Sequence, residues 1–252
     1  MELQGKIALV TGASSGIGKA IAIAFAQKRA QVFVHYGKNK VGGQETLREV
    51  EKFSSGRLCQ ADLMDPGATK SLFDEIKRTT PTIDVLINNA GESRPGELNE
   101  DSIWEYEYKN ILLSATRASA EFIALPSSRL RKIVNITSIY GNLATGDPEY
   151  LQYSAFKAAL AQVTTTLNKS AAPQVLVNAV APGYTETPAW AGASSESKEA
   201  CARATLIGRF VRPEEVAHAM ICIAENDGLC TAAISLAAPA KSRVYRRAVY
   251  RR

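Results

Sequence analysis

Apolar positions along the chain fall into short unbroken runs separated by longer amphipathic stretches. The runs are KIALV (6–10), QVFVHY (31–36), RLCQADL (57–63), IDVLINNAG (83–91), KIVNITS (132–138) and VLVNAVAPG (175–183). They are rich in β-branched and large apolar residues and lack the alternation of a half-exposed strand. Runs of this kind predict strands buried on both faces. Between them the spacing turns helical. KAIAIAFAQKRA (19–30) and GATKSLFDEIKRT (67–79) read as helices, as do 100–124, 153–170 and 206–226, where Pro213 marks a helix start. AISLA (233–237) supplies a seventh strand. Strand and helix alternate throughout, which predicts an α/β fold. The expected form is a single-domain doubly wound parallel sheet, Rossmann-like, of about seven strands with helices on both faces. No internal repeat, linker or low-complexity tract interrupts residues 1–240.

Composition narrows the class. The chain has 252 residues, 46% of them hydrophobic, enough for a full core. No run of about 18 apolar residues suggests a spanning helix. The opening MELQGKIALVTG enters a strand directly and lacks the layout of a secretory signal. Cys59, Cys201, Cys222 and Cys230 show no CxxC spacing. They read as thiols of a reducing cytoplasm and not as a disulfide frame or a metal site. The net charge of +5 comes from one place, since six of the 30 Lys and Arg lie in residues 241–252. The rest holds 24 basic against 25 acidic residues. Nothing there asks for nucleic acid or a membrane, and the basic tail reads as a solvated, poorly ordered end.

Candidate chemistry begins after the first strand. TGASSGIG (11–18) places Gly12, Gly16 and Gly18 between a strand and a helix. Glycines there let the backbone approach a pyrophosphate at the helix N-terminus. The alternative is a plain turn. The second strand ends His35, Tyr36, Gly37, Lys38 with no carboxylate for a ribose 2′-hydroxyl. A cation such as Lys38 suits a 2′-phosphate, so NADP is favoured and NAD remains the alternative. In NNAG (88–91), Asn88 and Asn89 offer amides, while Ala90 and Gly91 leave room for a flat ring; a polar turn would read the same way. Asn110 sits in an apolar stripe and Ser138 at a strand end. In YSAFKAAL, Tyr153 and Lys157 are four apart, one helical turn. An ammonium beside a phenol is expected to lower its pKa and fit it for proton transfer.

Together these motifs resemble the short-chain dehydrogenases/reductases. TGASSGIG is similar to that family's cofactor loop, and NNAG to its fourth-strand motif. Asn110, Ser138, Tyr153 and Lys157 match its catalytic tetrad. APG (181–183) with Thr185, Thr187 and Pro188 matches its nicotinamide-side segment. LIGRFVRPEEVA resembles the 3-oxoacyl-carrier-protein reductase branch. The resemblance implies hydride transfer between NAD(P) and a carbonyl or secondary alcohol, on a small substrate, with a carrier-bound oxoacyl group among the options. Tyr153 would be the general acid or base, and Lys157 would bind the nicotinamide ribose and tune Tyr153. Ser138 would bind the substrate oxygen, and Asn110 would hold a relay water. Cofactor contacts are implied at Gly12, Ser14, Ser15, Gly16, Ile17, Gly18, Tyr36 and Lys38. Others fall at Asp62, Leu63, Asn89, Ala90 and Gly91, then at Tyr153, Lys157, Pro182, Gly183, Thr185 and Thr187. The alternative is a catalytically idle scaffold or regulator of the same fold.

After Asp227 the text departs from the family, whose Thr-Gly and Gly-Gly turns are missing. A shifted reading frame over the last part is one explanation. The resemblance implies a homotetramer, with one interface from two long helices and a second that needs the chain's end. Because that end is altered here, a homodimer through helices 100–124 and 153–170 is expected, with tetramer formation weakened or absent. Ile111, Ala155 and Ala159 are the small or apolar residues expected on that face.

Overall fold

A computed structural model describes residues 1–142, 145–230 and 233–237. Its centre is one sheet of seven parallel strands. They are β1 (Ile7–Val10), β2 (Gln31–Tyr36), β3 (Gly56–Gln60), β4 (Val85–Asn88), β5 (Arg131–Ile136), β6 (Val175–Pro182) and β7 (Ala233–Leu236). Their order across the sheet is β3-β2-β1-β4-β5-β6-β7. Chain direction in the order therefore reverses between β1 and β4, where an open α/β sheet forms a crevice at its C-terminal edge.

Helices cover both faces, which is why the strands read as continuous apolar runs. Ala8 and Val10 pack on one face against Ile21 and Phe25 of α1 (Gly16–Gln27) and Met220 of α8 (Pro213–Glu225). Leu9, between them, packs on the other face with Phe73 of α3 (Pro66–Thr79) and Phe122 of α5 (Ser114–Ala124). The seven-stranded doubly wound sheet expected from the pattern is thus the one observed.

Several boundaries differ for physical reasons. α2 (Lys40–Glu51) was not expected, because KVGGQETLREVE carries two glycines and a weak apolar stripe. Packing supplies what propensity lacks. A Cβ on Gly42 would come within 2.3 Å of the Ser14 carbonyl oxygen, and one on Gly43 within 3.2 Å of the Tyr36 ring. Asn39 caps this helix by accepting from the Gly42 N–H at 3.0 Å. α7 (Ser195–Ala204), also unexpected, is small and polar and is capped by Ser194. The expected helix 100–124 is three pieces: α4 (Asp101–Glu107), a π-helical turn (Tyr108–Leu113) and α5. Such turns inside helices often mark functional positions.

Ile111, expected on a dimer face, is instead 1% exposed. It lies within the π-turn and packs with Leu160, Tyr153 and Phe156 of α6 (Leu151–Ala171). Its apolar side chain is spent inside one subunit, whereas Ala155 is exposed. At the other end, Asp227 Oδ1 receives both the Met1 amine and the buried Lys132 ammonium at 2.8 Å. β7 follows and pairs with β6 from Ala233 opposite Ala179 to Leu236 opposite Pro182. After it, Ala237 takes a left-handed φ of 52°. The basic tail, 241–252, lies outside the described residues.

Candidate active site

The glycine turn, NNAG, Ser138 and the segment 181–188 come to the C-terminal edge of the sheet because each lies at or just past a strand's end, and the π-turn and α6 bring Asn110, Tyr153 and Lys157 to them. Gly12 (φ 62°) and Gly16 (φ 53°) hold left-handed backbone in the β1–α1 turn. A Cβ on Gly18 would meet the Gly12 carbonyl oxygen at 2.3 Å. The turn is tied from beneath. Asn89 Nδ2 donates to the carbonyls of Thr11 (2.9 Å) and Gly12 (3.1 Å). Thr11 Oγ1 in turn accepts from the N–H groups of Asn89 (2.9 Å) and Ala90 (3.0 Å). The Asn89 amide therefore holds the glycine turn. Asn88 points away from the edge: its Nδ2 donates to Asn135 Oδ1 (2.8 Å) and Ser119 Oγ (3.0 Å) in the helix layer.

His35, the last buried residue of β2, also braces the turn. Its Nδ1 accepts from the Gly12 N–H at 3.1 Å, and its Nε2 faces the Ala61 carbonyl at 3.2 Å. Burial pushes its pKa down to about 4, so the ring is neutral and Nε2–H is the donor. Tyr36 packs its ring over Gly43. Lys38 is exposed in the turn before α2, close enough to Glu92 for its charge to be felt there. Ser14 and Ile17 are half-buried and Ser15 is exposed. After β3, Asp62 is exposed and accepts from the Met64 N–H, while the Leu63 side chain is buried in the core, leaving only its backbone for a ligand. Gly91 fits where a Cβ would meet Ile111 Cδ1 at 2.9 Å.

Ser138, Tyr153 and Lys157 meet beyond β5. The Ser138 side chain accepts from the Tyr140 N–H at 3.1 Å and is close enough to the Tyr153 hydroxyl to pull its pKa down. Lys157 Nζ donates to the Ile136 carbonyl at 2.7 Å and lies 5.5 Å from the centre of the Tyr153 ring. Contrary to expectation, Tyr153 is not lowered: burial pushes its pKa up to about 12, against a smaller downward pull from Ser138. Burial likewise lowers Lys157 to about 8. Desolvation is the largest influence on both groups. Asn110, on the π-turn, donates from Nδ2 to the Glu92 carbonyl at 2.6 Å and to Glu107 Oε2 at 3.5 Å.

A cleft of about 570 Å³ opens over these groups. Ile17, Ser138, Tyr153, Pro182, Gly183, Thr185 and Thr187 line it, whereas Asn110, Lys157 and the glycines of the β1–α1 turn do not. Thr187 folds back onto the glycine turn, since a Cβ on Gly16 would meet its Cγ2 at 3.1 Å. Four more aromatic residues line it, Tyr140, Tyr150, Tyr184 and Trp190, among small and polar ones such as Ser93, Ala189, Gly192 and Ser197. Their rings contact edge to face, with Tyr140–Tyr153 centroids 6.4 Å apart and Tyr184–Trp190 5.7 Å apart. Asp147 and Glu149 add acid, and the described lining residues include no Lys or Arg.

Sequence reasoning missed Thr11, His35 as a brace, the cleft's aromatic residues and Glu107. Thr11 stood in the open beside Gly12. The aromatic residues come from three separated segments that only the fold gathers. Glu107 carried a signal, an acid three residues before Asn110 in an apolar stripe, whose burial the sequence did not disclose.

The family model described as short chain dehydrogenase matches residues 6–198. The 3-oxoacyl-[acyl-carrier-protein] reductase of Aquifex aeolicus is 34% identical over 230 residues, covering 88% of this chain and 90% of that protein. The structure of a Pseudomonas aeruginosa RhlG/NADP complex superposes with a TM-score of 0.87 at 27% identity, covering 94% of this chain and 96% of the other. An actinorhodin polyketide ketoreductase with NADPH gives a TM-score of 0.83 at 28% identity, covering 93% and 96%. The chain belongs to the short-chain dehydrogenase family of oxidoreductases.

Proposed function

We propose that this protein reduces a ketone to a secondary alcohol, with NADPH as the favoured cofactor and Tyr153 as the proton donor. The observation that carries this reading is the convergence of Ser138, Tyr153 and the segment 182–187 on one cleft.

The residues present fit the dinucleotide. The first turn of α1 has no side-chain cap and no acidic residue, so its N–H groups and positive end are available to a pyrophosphate. Bare glycine backbone at 12, 16 and 18 permits the close approach. Lys38 complements a 2′-phosphate where a carboxylate would repel it. Bound there, the cofactor supplies the hydride.

The chain's own groups manage the proton. Ser138 Oγ donates to the substrate oxygen and steadies its developing charge. Tyr153 then releases its phenolic proton to that oxygen. Burial keeps this phenol protonated at neutral pH, which suits the reducing direction. As the proton leaves, the Lys157 ammonium one turn away favours the phenolate, and Asn110 orders the water that resupplies Lys157.

Rings and acid without a cation on the cleft wall favour an uncharged substrate with an apolar or aromatic body. A carrier-bound oxoacyl group is the second reading, favoured by similarity to the Aquifex aeolicus reductase. The enzyme is proposed to act in the cytoplasm, as a homodimer through the faces of the π-turn and α6.

A panel of aryl ketones, alicyclic ketones and oxoacyl thioesters, each with NADPH and NADH, tests the reading. Turnover with NADPH is expected, and Tyr153→Phe lowers kcat at least about 10²-fold with NADPH binding retained by fluorescence. Lys38→Ala narrows the preference for NADPH over NADH. Wild-type rates in Tyr153→Phe, or a wild-type preference for NADH, would overturn it.

A further inference from the structure

Beside the Tyr153–Lys157 pair the chain buries a carboxylate that the mechanism above leaves unused. Glu107, the last residue of α4, is 0% exposed. Leaving a carboxylate uncompensated in such a place is costly, so its partners are informative. Glu107 Oε1 accepts the Arg94 backbone N–H at 2.8 Å, and Oε2 faces Asn110 Nδ2 at 3.5 Å. The Asn110 amide continues to the Glu92 carbonyl at 2.6 Å. Tyr106 donates its hydroxyl to Glu92 Oε1 at 2.6 Å, and the Arg94 guanidinium lies 3.5 Å over the Tyr106 ring. The strap 92–94 is thus stitched onto the π-turn, with Glu107 sealed beneath it.

On its other side the π-turn packs against α6 through Ile111, Leu160, Tyr153 and Phe156. The charges of Lys157 on α6 and of Arg94 on the strap both bear on the Glu107 carboxyl. In return, the carboxylate's charge is felt at Lys157 and at Tyr153.

We propose that Glu107 is a positioning residue of this site: its buried carboxylate fixes the Asn110 amide and is the counter-charge to Lys157. The inference rests on the reductase reading above. Burial alone drives Lys157 toward the neutral amine, and Glu107 opposes that drift. The same negative charge disfavours the phenolate, so Tyr153 keeps its proton until a substrate oxygen takes it. The second effect suits ketone reduction, in which Tyr153 must begin protonated. Burial also raises the Glu107 carboxyl itself, so acid should discharge it and release the pair.

Glu107→Gln keeps the shape and the Arg94 contact, since Gln Oε1 can still accept that N–H, but removes both the charge and the acceptor facing Asn110 Nδ2. Lys157 is titrated first, by NMR of lysine-labelled protein without cofactor, with Lys157→Arg to assign the signal. Wild-type Lys157 is expected to titrate near pH 8. In Glu107→Gln it moves down by at least about one pH unit. The basic limb of kcat for ketone reduction with NADPH moves down by the same interval, with KM for NADPH changed less than about twofold. Glu107→Asp, which keeps the charge, restores most of both. Should Glu107→Gln not fold, Lys157→Met gives the reciprocal reading, a raised Glu107 titration in glutamate-labelled protein. An unmoved Lys157 titration in Glu107→Gln, or an unmoved Glu107 in Lys157→Met, would overturn the inference even if the wild type is an active reductase. Absence of reductase activity in the wild type would instead overturn the reading beneath it.

Discussion

Burial decides the chemistry of single residues more than sequence neighbours do. Tyr153 and Lys157 are one helical turn apart, yet desolvation moves each against its charged form. His35 is a second case, 2% exposed with a neutral ring braced between Gly12 and Ala61. Its folded pKa of about 4 lies below the ordinary 6.5, so the unfolded chain takes up the proton first. Stability from this group is full above about pH 6.5 and is lost as pH falls toward 4, by on the order of 3 kcal/mol. Carboxylates titrate over part of the same range, so a difference measurement is required. Urea unfolding of wild type and His35→Gln at pH 7.5 and pH 5 supplies it. His35→Gln should be the less stable at pH 7.5 and should lose less on acidification. Equal losses in both would remove His35 from the account.

At the scale of elements, turns and helix ends show where packing overrides propensity. α2 forms around Gly42 and Gly43 because Ser14 and Tyr36 press too closely for any side chain there. The opposite mismatch follows β7, where Ala237 holds φ 52° and its carbonyl would lie 2.7 Å from a Cβ on Gly183. Left-handed backbone costs a non-glycine residue about 1–2 kcal/mol, part of which glycine returns as extra freedom in the unfolded chain. Ala237→Gly is therefore expected to stabilise the protein by about 0.5–1 kcal/mol in thermal or urea unfolding. A destabilisation would mean that the turn after β7 is not left-handed in solution. The glycines that the family resemblance leads one to expect after the last strand are absent from this segment, so the strained alanine and the sequence departure coincide.

For the whole molecule, assembly turns on the surface left beside the π-turn and α6. Ile111 is withdrawn into the subunit, but Tyr108 is 41% exposed and Phe156 joins it and Trp104 in an aromatic cluster. Two-fold pairing of these faces would cover rings that water otherwise meets. The proposed homodimer should appear in light scattering, and Tyr108→Glu should shift it to monomer without unfolding it. A monomeric wild type removes the helix argument, and a stable tetramer removes the weight placed on the altered C-terminal end.

The periodicity of the chain determined its class. Buried parallel strands must be apolar on both faces, and helices must return the chain between them, so the alternation was legible without coordinates. The same logic placed the glycine turn, Ser138 and the Tyr153–Lys157 pair at one sheet edge, because each follows a strand or faces one helical turn. Short-range rules could not show α2 and α7, whose stability lies in contacts with Ser14, Tyr36 and local caps. Nor could they show that Asn88 turns into the helix layer while Asn89 braces the glycine turn, since neighbouring side chains on a strand end point opposite ways. The cleft's aromatic residues come from 140–150, 184 and 190, and Glu107 meets the strap 92–94 and α6 only once the π-turn is packed. Burial and long-range proximity set the charges of these groups, and both are properties of the folded chain alone.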